Sequence, residues 1–173
     1  MKVNPIIRRA DSGDAALLAQ LGARTFSEAF HADNEASDLA AHLASTYSTE
    51  KQSQELADPL SVFFIAEVGG VAAGYAMLYA GVAPACVPQD QPIELARIYV
   101  SNQWLGRGIG EALMRRCIDH GREEGHRTIW LGVWEKNPRA QSFYRRWEFR
   151  DVGRQVFQVG SDPQNDIVMS RAL

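Results

Sequence analysis

No run of the chain approaches the ~20 consecutive apolar residues that a membrane-spanning helix needs. The opening Met1-Lys2-Val3-Asn4-Pro5 also lacks the apolar core of a secretory signal. These two absences set the expectation of a soluble, cytoplasmic protein with no membrane partner. Cysteine is scarce: Cys86 and Cys117 form no CxxC pair, and His31, His42, His120 and His126 are too scattered to complete a zinc array with them. No metal is therefore expected, and the thiols read as a loop residue at 86 and a helix-packing one at 117. Strong charge of either sign is missing too. A net charge of −3 argues against a nucleic-acid binder, which normally carries a basic face, and is compatible with a cationic small substrate. Repeats, low-complexity tracts and linkers are all absent. The 173 residues, 46% of them hydrophobic, are thus expected to form one domain, 1–173, large enough to bury a core.

Within that domain, Ile6 to Arg8 reads as a short strand, and Asp11 caps a helix with Ala15, Leu18, Leu21 and Phe26 at helical spacing. Further helices are expected over Glu35 to Ser45 and Glu50 to Ala57, the latter after Thr49-Glu50-Lys51-Gln52 with capping-box spacing. Val62 to Val68 and Val71 to Tyr79 are β-prone runs joined at Gly69-Gly70, a hairpin turn. Gly81 to Pro92 and Gly160 to Asn165 have the composition of loops. Ile93 to Val100 is a strand, Gly108 to Glu124 an amphipathic helix, Thr128 to Trp134 a buried strand and Asn137 to Trp147 a helix. Val152 to Val159 and Asp166 to Arg171 close the chain as strands. The order predicts an α/β (α+β) fold: a mixed, mostly antiparallel sheet of six or seven strands with helices packed on it.

The segment Gln103-Trp104-Leu105-Gly106-Arg107-Gly108-Ile109-Gly110 lies between a strand and an amphipathic helix. Glycines there let backbone approach a ligand, and the free N–H groups of a helix start, with its dipole, favour a pyrophosphate. Arg107 offers a charge-assisted contact to the same phosphates, although three alternate glycines also suit a mobile turn. Other phosphate motifs fail. No GxxxxGK followed by Ser or Thr occurs, and counting from Gly106 the third glycine of GxGxxG is replaced by Glu111. Downstream, Asn137-Pro138 is a favourable helix entry. Tyr144 follows seven residues later, a rotation of roughly 700° that returns it to the Asn137 side, where a packed aromatic would equally serve the fold.

With Gln103, Gly106 and Gly108 in place after a strand, the chain resembles the GNAT superfamily of N-acetyltransferases, whose motif is Gln or Arg, two residues, Gly, one residue, then Gly or Ala. Glu94 to Val100, Asn137, Ala140, Phe143 and Tyr144 extend the resemblance, which runs from about Ile6 to the end. Leu105 stands where many bacterial members carry a basic residue, and Glu148 where a Gly usually precedes Phe149. The resemblance implies a sheet splayed at its middle with helices on both faces, and acetyl-CoA as cosubstrate. The backbone of Ile98, Tyr99 and Val100 would then meet the pantetheine arm. Gln103, Gly106, Arg107, Gly108, Ile109, Gly110 and Glu111 would meet the pyrophosphate, with Asn137 on the cofactor too. Tyr144 would protonate the departing thiolate. Family members commonly form homodimers.

The acceptor side is set by proton chemistry. An amine with a pKa near ~10.4 is neutral in only about one molecule in 2,500 at pH 7, a cost of roughly 4.6 kcal/mol. A base is required, and strand alternation places Glu94 on one side with Ala96, Ile98 and Val100. No cysteine has a spaced base, so direct attack by the amine is expected. Thr25 to Asn34 with Glu55-Leu56 loosely resembles bacterial spermine/spermidine-type acetyltransferases, and Glu28, Asp33, Glu35 and Asp38 are candidates to attract a polycation. A peptide or protein amine, an amino acid or antibiotic, and a non-catalytic CoA-binding module stay open as alternatives.

Overall fold

A computed structural model describes residues 1–173. Its elements run β1 (Ile6–Arg9), α1 (Ala15–Phe30), α2 (Ala36–Thr46), α3 (Thr49–Ala57), β2 (Ser61–Val68), β3 (Val71–Tyr79), β4 (Pro92–Val100), α4 (Ile109–Glu123), β5 (Thr128–Trp134), α5 (Pro138–Arg146), β6 (Arg150–Val159) and β7 (Asp162–Ala172). One seven-stranded sheet has the order β1-β2-β3-β4-β5-β7-β6. Every neighbouring pair is antiparallel except β4 and β5. No helix is long and apolar enough to cross a membrane.

Local chemistry accounts for most of these boundaries. Gly69 and Gly70 both take positive φ (59° and 80°), which a two-residue hairpin turn requires. Asp11 and Asp14 form a capping box before α1, and Arg8 of β1 holds the Asp14 carboxylate through two 2.8 Å bonds. Two expectations need correction. The cap of α3 is Ser48, whose Oγ accepts the Lys51 N–H at 3.1 Å, because Thr49 is already helical. Gln52 turns inward instead and donates to the Thr46 carbonyl. The stretch 160–165 is not one loop: only Gly160 and Ser161 turn, and Asp162 begins β7 opposite Val159. Pairing with β6 there overrides the weak strand propensity of Asp-Pro-Gln-Asn.

Apolar side chains fill both faces of the sheet. Leu113, Met114 and Cys117 of α4 pack on Phe64, Leu78 and Leu131, with Phe143, Tyr144 and Trp147 from the α5 region at the margin. On the opposite face Leu18 and Leu21 of α1 cover Phe63, Ile65 and Tyr75. Two irregularities in β4 position everything that follows. The first is that β4 and β5 pair only over Pro92–Glu94 and Thr128–Trp130, so from Leu95 onward β4 is bonded to β3 alone and the sheet opens. The second is a bulge: Leu78 pairs with Leu95 but Met77 pairs with Arg97, leaving Ala96 as an extra residue.

That extra residue corrects the strand-face expectation. Ile93 and Leu95 belong to the α4-side core, and so do Ile98 and Val100, because the bulge shifts the alternation by one. Ala96 and Tyr99 pack on the α1 side, and Arg97 reaches Glu55 of α3. Glu94 therefore shares its face with Ala96, Arg97 and Tyr99, and not with Ile98 and Val100.

Candidate active site

The loop after β4 is fastened from below by α1. Glu28 accepts the Asn102 N–H at 2.8 Å, and Arg24, one turn earlier, donates to Ser101 Oγ at 3.1 Å. Val3 adds a third tie, its N–H donating to the Arg107 carbonyl at 3.1 Å. Gly106 and Gly108 then adopt left-handed backbone (φ 73° and 92°). A Cβ at Gly106 would meet nothing within 4 Å, and one at Gly108 would touch only the aliphatic stem of Lys2. Conformation, not crowding, demands glycine here, and the backbone stays accessible. Gly108 is the N-cap of α4, whose first-turn N–H groups have no intrahelical acceptors.

The splay holds a cavity of about 1060 Å³ that takes in this loop, the exposed side of β4, α5 and the inner surfaces of α1 to α3. Of the residues expected to meet the coenzyme or move a proton, all but Gln103 and Arg107 line it. Gln103 is exposed outside it, and the Arg107 guanidinium lies over the Trp104 ring, 5.3 Å from its centroid. Glu111 lines the cavity but is paired with Lys2 at 3.0 Å. Asn137 does two things at once. Its Oδ1 caps α5 by accepting the Ala140 N–H at 3.1 Å, which leaves its amide donors for a ligand.

Two groups have the protonation behaviour that acyl transfer uses. Burial pushes the Glu94 carboxyl up to about 7, against a smaller opposing pull from Arg97, so the group exchanges a proton near neutrality. Burial, reinforced by the Asp166 carboxylate, raises the Tyr144 phenol above its ordinary value, so it keeps its proton and can donate it. The four acidic residues proposed to attract a polycation do not act together. Glu28 lines the cavity, whereas Asp33, Glu35 and Asp38 surround a separate surface depression with Ser161 and Asp162.

Sequence reasoning gave several lining groups no role in the site. Arg97 and Glu55 form a two-bonded ion pair at 2.7 and 2.9 Å, which their 42-residue separation conceals. Trp134 and Asp166, opposite each other on β5 and β7, also line the cavity. The available signal was an acid at an inward position just before the apolar run Ile167-Val168-Met169. The two cysteines are where expected, Cys86 exposed and Cys117 buried, and neither lines the cavity.

Comparison with known proteins adds four findings. The profile of the Acetyltransferase (GNAT) family matches residues 24–149. An uncharacterized N-acetyltransferase of Lactobacillus delbrueckii subsp. lactis is 34% identical over 149 residues, 86% of each chain. One from Mycobacterium tuberculosis is 33% identical over 160 residues, 92% of this chain and 98% of that one. Among solved structures, the PaiA N-acetyltransferase of Thermoplasma acidophilum in complex with coenzyme A superposes with a TM-score of 0.79, over 99% of this chain and 100% of that one. At 18% identity that likeness speaks to the fold.

Proposed function

The chain belongs to the GNAT acetyltransferase family, and on that premise we propose that it transfers the acetyl group of acetyl-CoA directly to a primary amine of a small molecule. The observation that carries this reading is the splay, which brings an open glycine loop, a proton-exchanging carboxyl and a protonated phenol to one cavity. The left-handed Gly106 and Gly108 and the start of α4 fit a pyrophosphate. The β4 backbone beyond Glu94, unpaired on its β5 side, fits an extended amide-bearing arm. Acetyl-CoA, as cosubstrate, supplies an acyl carbon activated as a thioester.

The remaining work falls to this chain's own groups. Glu94 accepts the amine's proton. Backbone N–H groups near Ile98, left free by the splay, face the carbonyl oxygen as charge builds on it. Tyr144 donates to the leaving sulfur. Direct attack, rather than relay through a thiol, is supported by Cys117, which is buried and pushed up to about 12. A polyamine is one acceptor of this class, and a peptide amine is the alternative. Cytoplasmic residence and pairing of two copies belong to the same proposal. The exposed Val156 on the edge strand β6 supports the pairing.

Thiol release from acetyl-CoA across a panel of amines tests the reading, with Tyr144→Phe beside the wild type. The variant keeps the ring and its packing, so its melting temperature and acetyl-CoA affinity should hold while single-turnover rate falls ~10²-fold or more. Tight acetyl-CoA binding with no thiol release for any amine would replace the enzyme with a CoA-binding module. An undiminished chemical step in the variant would reduce Tyr144 to a packing residue.

A further inference from the structure

On the α1-to-α3 face the cavity holds a second carboxylate that the mechanism above does not use. Asp166 is only 6% exposed and lies opposite Trp134 on one side and Gln155 on the other. Asp166 and Gln155 crowd over Gly132: a Cβ there would collide with the Gln155 amide and come within 2.9 Å of the Asp166 carboxylate. Burial drives the Asp166 carboxyl up to about 6, and no hydrogen bond or cation offsets it. Of the cations in the cavity wall, Arg97 is engaged with Glu55 and Arg146 lies over the Phe143 ring, and no cation acts on Asp166. A buried acid without a partner is costly to the fold, and here it faces open space.

The walls around it are aromatic. Phe30 lies 6.1 Å from Trp134 and 6.3 Å from Tyr99, edge to face with both, and all three rings line the cavity. Ring faces attract the polarised C–H and N–H groups of an organic cation, while a carboxylate takes its charge. An anionic acceptor would meet the field of Asp166, and a neutral alcohol would leave the carboxylate unpaired. We propose that Asp166 and the rings of Phe30, Tyr99 and Trp134 form an ammonium-binding subsite, so that the acceptor is an organic cation carrying its amine on an apolar stem. Asp166 is then a positioning residue that selects and docks the charged amine, and removal of the proton stays with Glu94. The word acceptor rests on the acetyl-transfer reading, whereas the subsite does not.

Calorimetry on the CoA-saturated protein at about pH 7.5, where Asp166 is ionised, separates the two. The probes are 2-phenylethylamine, its neutral counterpart 2-phenylethanol, and the anion 3-phenylpropanoate. The wild type should bind the amine at least ~10-fold more tightly than the alcohol and take up no measurable carboxylate. Asp166→Asn should bring the amine down to the level of the alcohol while CoA and alcohol affinities hold. Equal binding of amine and alcohol by the wild type, or a preference that survives in Asp166→Asn, overturns the subsite. A charge-dependent preference in a protein that transfers acetyl to no amine upholds the subsite and overturns only the transfer reading.

Discussion

Burial holds the Glu94 carboxyl near the pH at which its proposed role as base would operate. Its raised value, about 7, fixes the sign of two measurements. Below pH 7 the group is protonated and accepts nothing, so wild-type turnover at saturating amine should fall along an acid limb centred near that value. Glu94→Gln should lose this limb, run ~10²-fold slower at pH 7 to 8, and recover toward pH 10 as the amine sheds its own proton. An unaltered profile would remove Glu94 from the mechanism. Stability moves in the opposite sense. A raised carboxyl favours the native state at pH values below its unfolded value and withdraws that support as pH climbs through 7, so the uncharged Gln should melt above wild type at pH 8 and not at pH 4. The sequence marked Glu94 by type and position, but its partners were hidden. Ala96 shifts the strand's alternation, and a bulge of one residue leaves no trace in a hydrophobic pattern.

Among the elements, the β4–α4 junction is the most local in its causes and was the most legible. Its glycines, the strand before it and the helix after it follow one another in the chain, and the left-handed Gly106 and Gly108 are what such a turn requires. Gly108→Asp would strain that backbone and set a negative charge where phosphates are proposed to lie. Acetyl-CoA affinity should drop by ~10-fold or more in calorimetry, and an unchanged affinity would move the phosphate site elsewhere. The same locality explains the Gly69-Gly70 hairpin. Asp166 is the reverse case, since its neighbours Trp134 and Gln155 come from separate strands whose order, β5-β7-β6, no local pattern encodes. Glu148 lies between these extremes. The replacement of the family's usual glycine there reads as a change in the turn, yet Glu148 takes a left-handed φ of 66°, the backbone that glycine suits best.

At the scale of the molecule, the helical layer of α1 to α3 is tied to the sheet by Glu55 and Arg97, each with a side chain only 14% exposed. Arg97 also lies over the Tyr47 ring at 5.3 Å. Glu55→Gln would leave that guanidinium buried without its counter-charge, at a cost of about 3 kcal/mol and a fall of roughly 6–12 °C in melting temperature for a domain of this size. A shift of less than about 2 °C would show that the layer holds without the pair. The splayed sheet also divides the chain as a text. The glycine loop and Tyr144 are written in its middle, from 92 to 144, whereas Phe30 and His42 come from an earlier passage and Gln155, Phe157 and Asp166 from a later one. The proposed coenzyme contacts therefore lie within one central passage, whereas the proposed ammonium subsite is spelled from all three, with Phe30 in the first, Tyr99 and Trp134 in the second and Asp166 in the third.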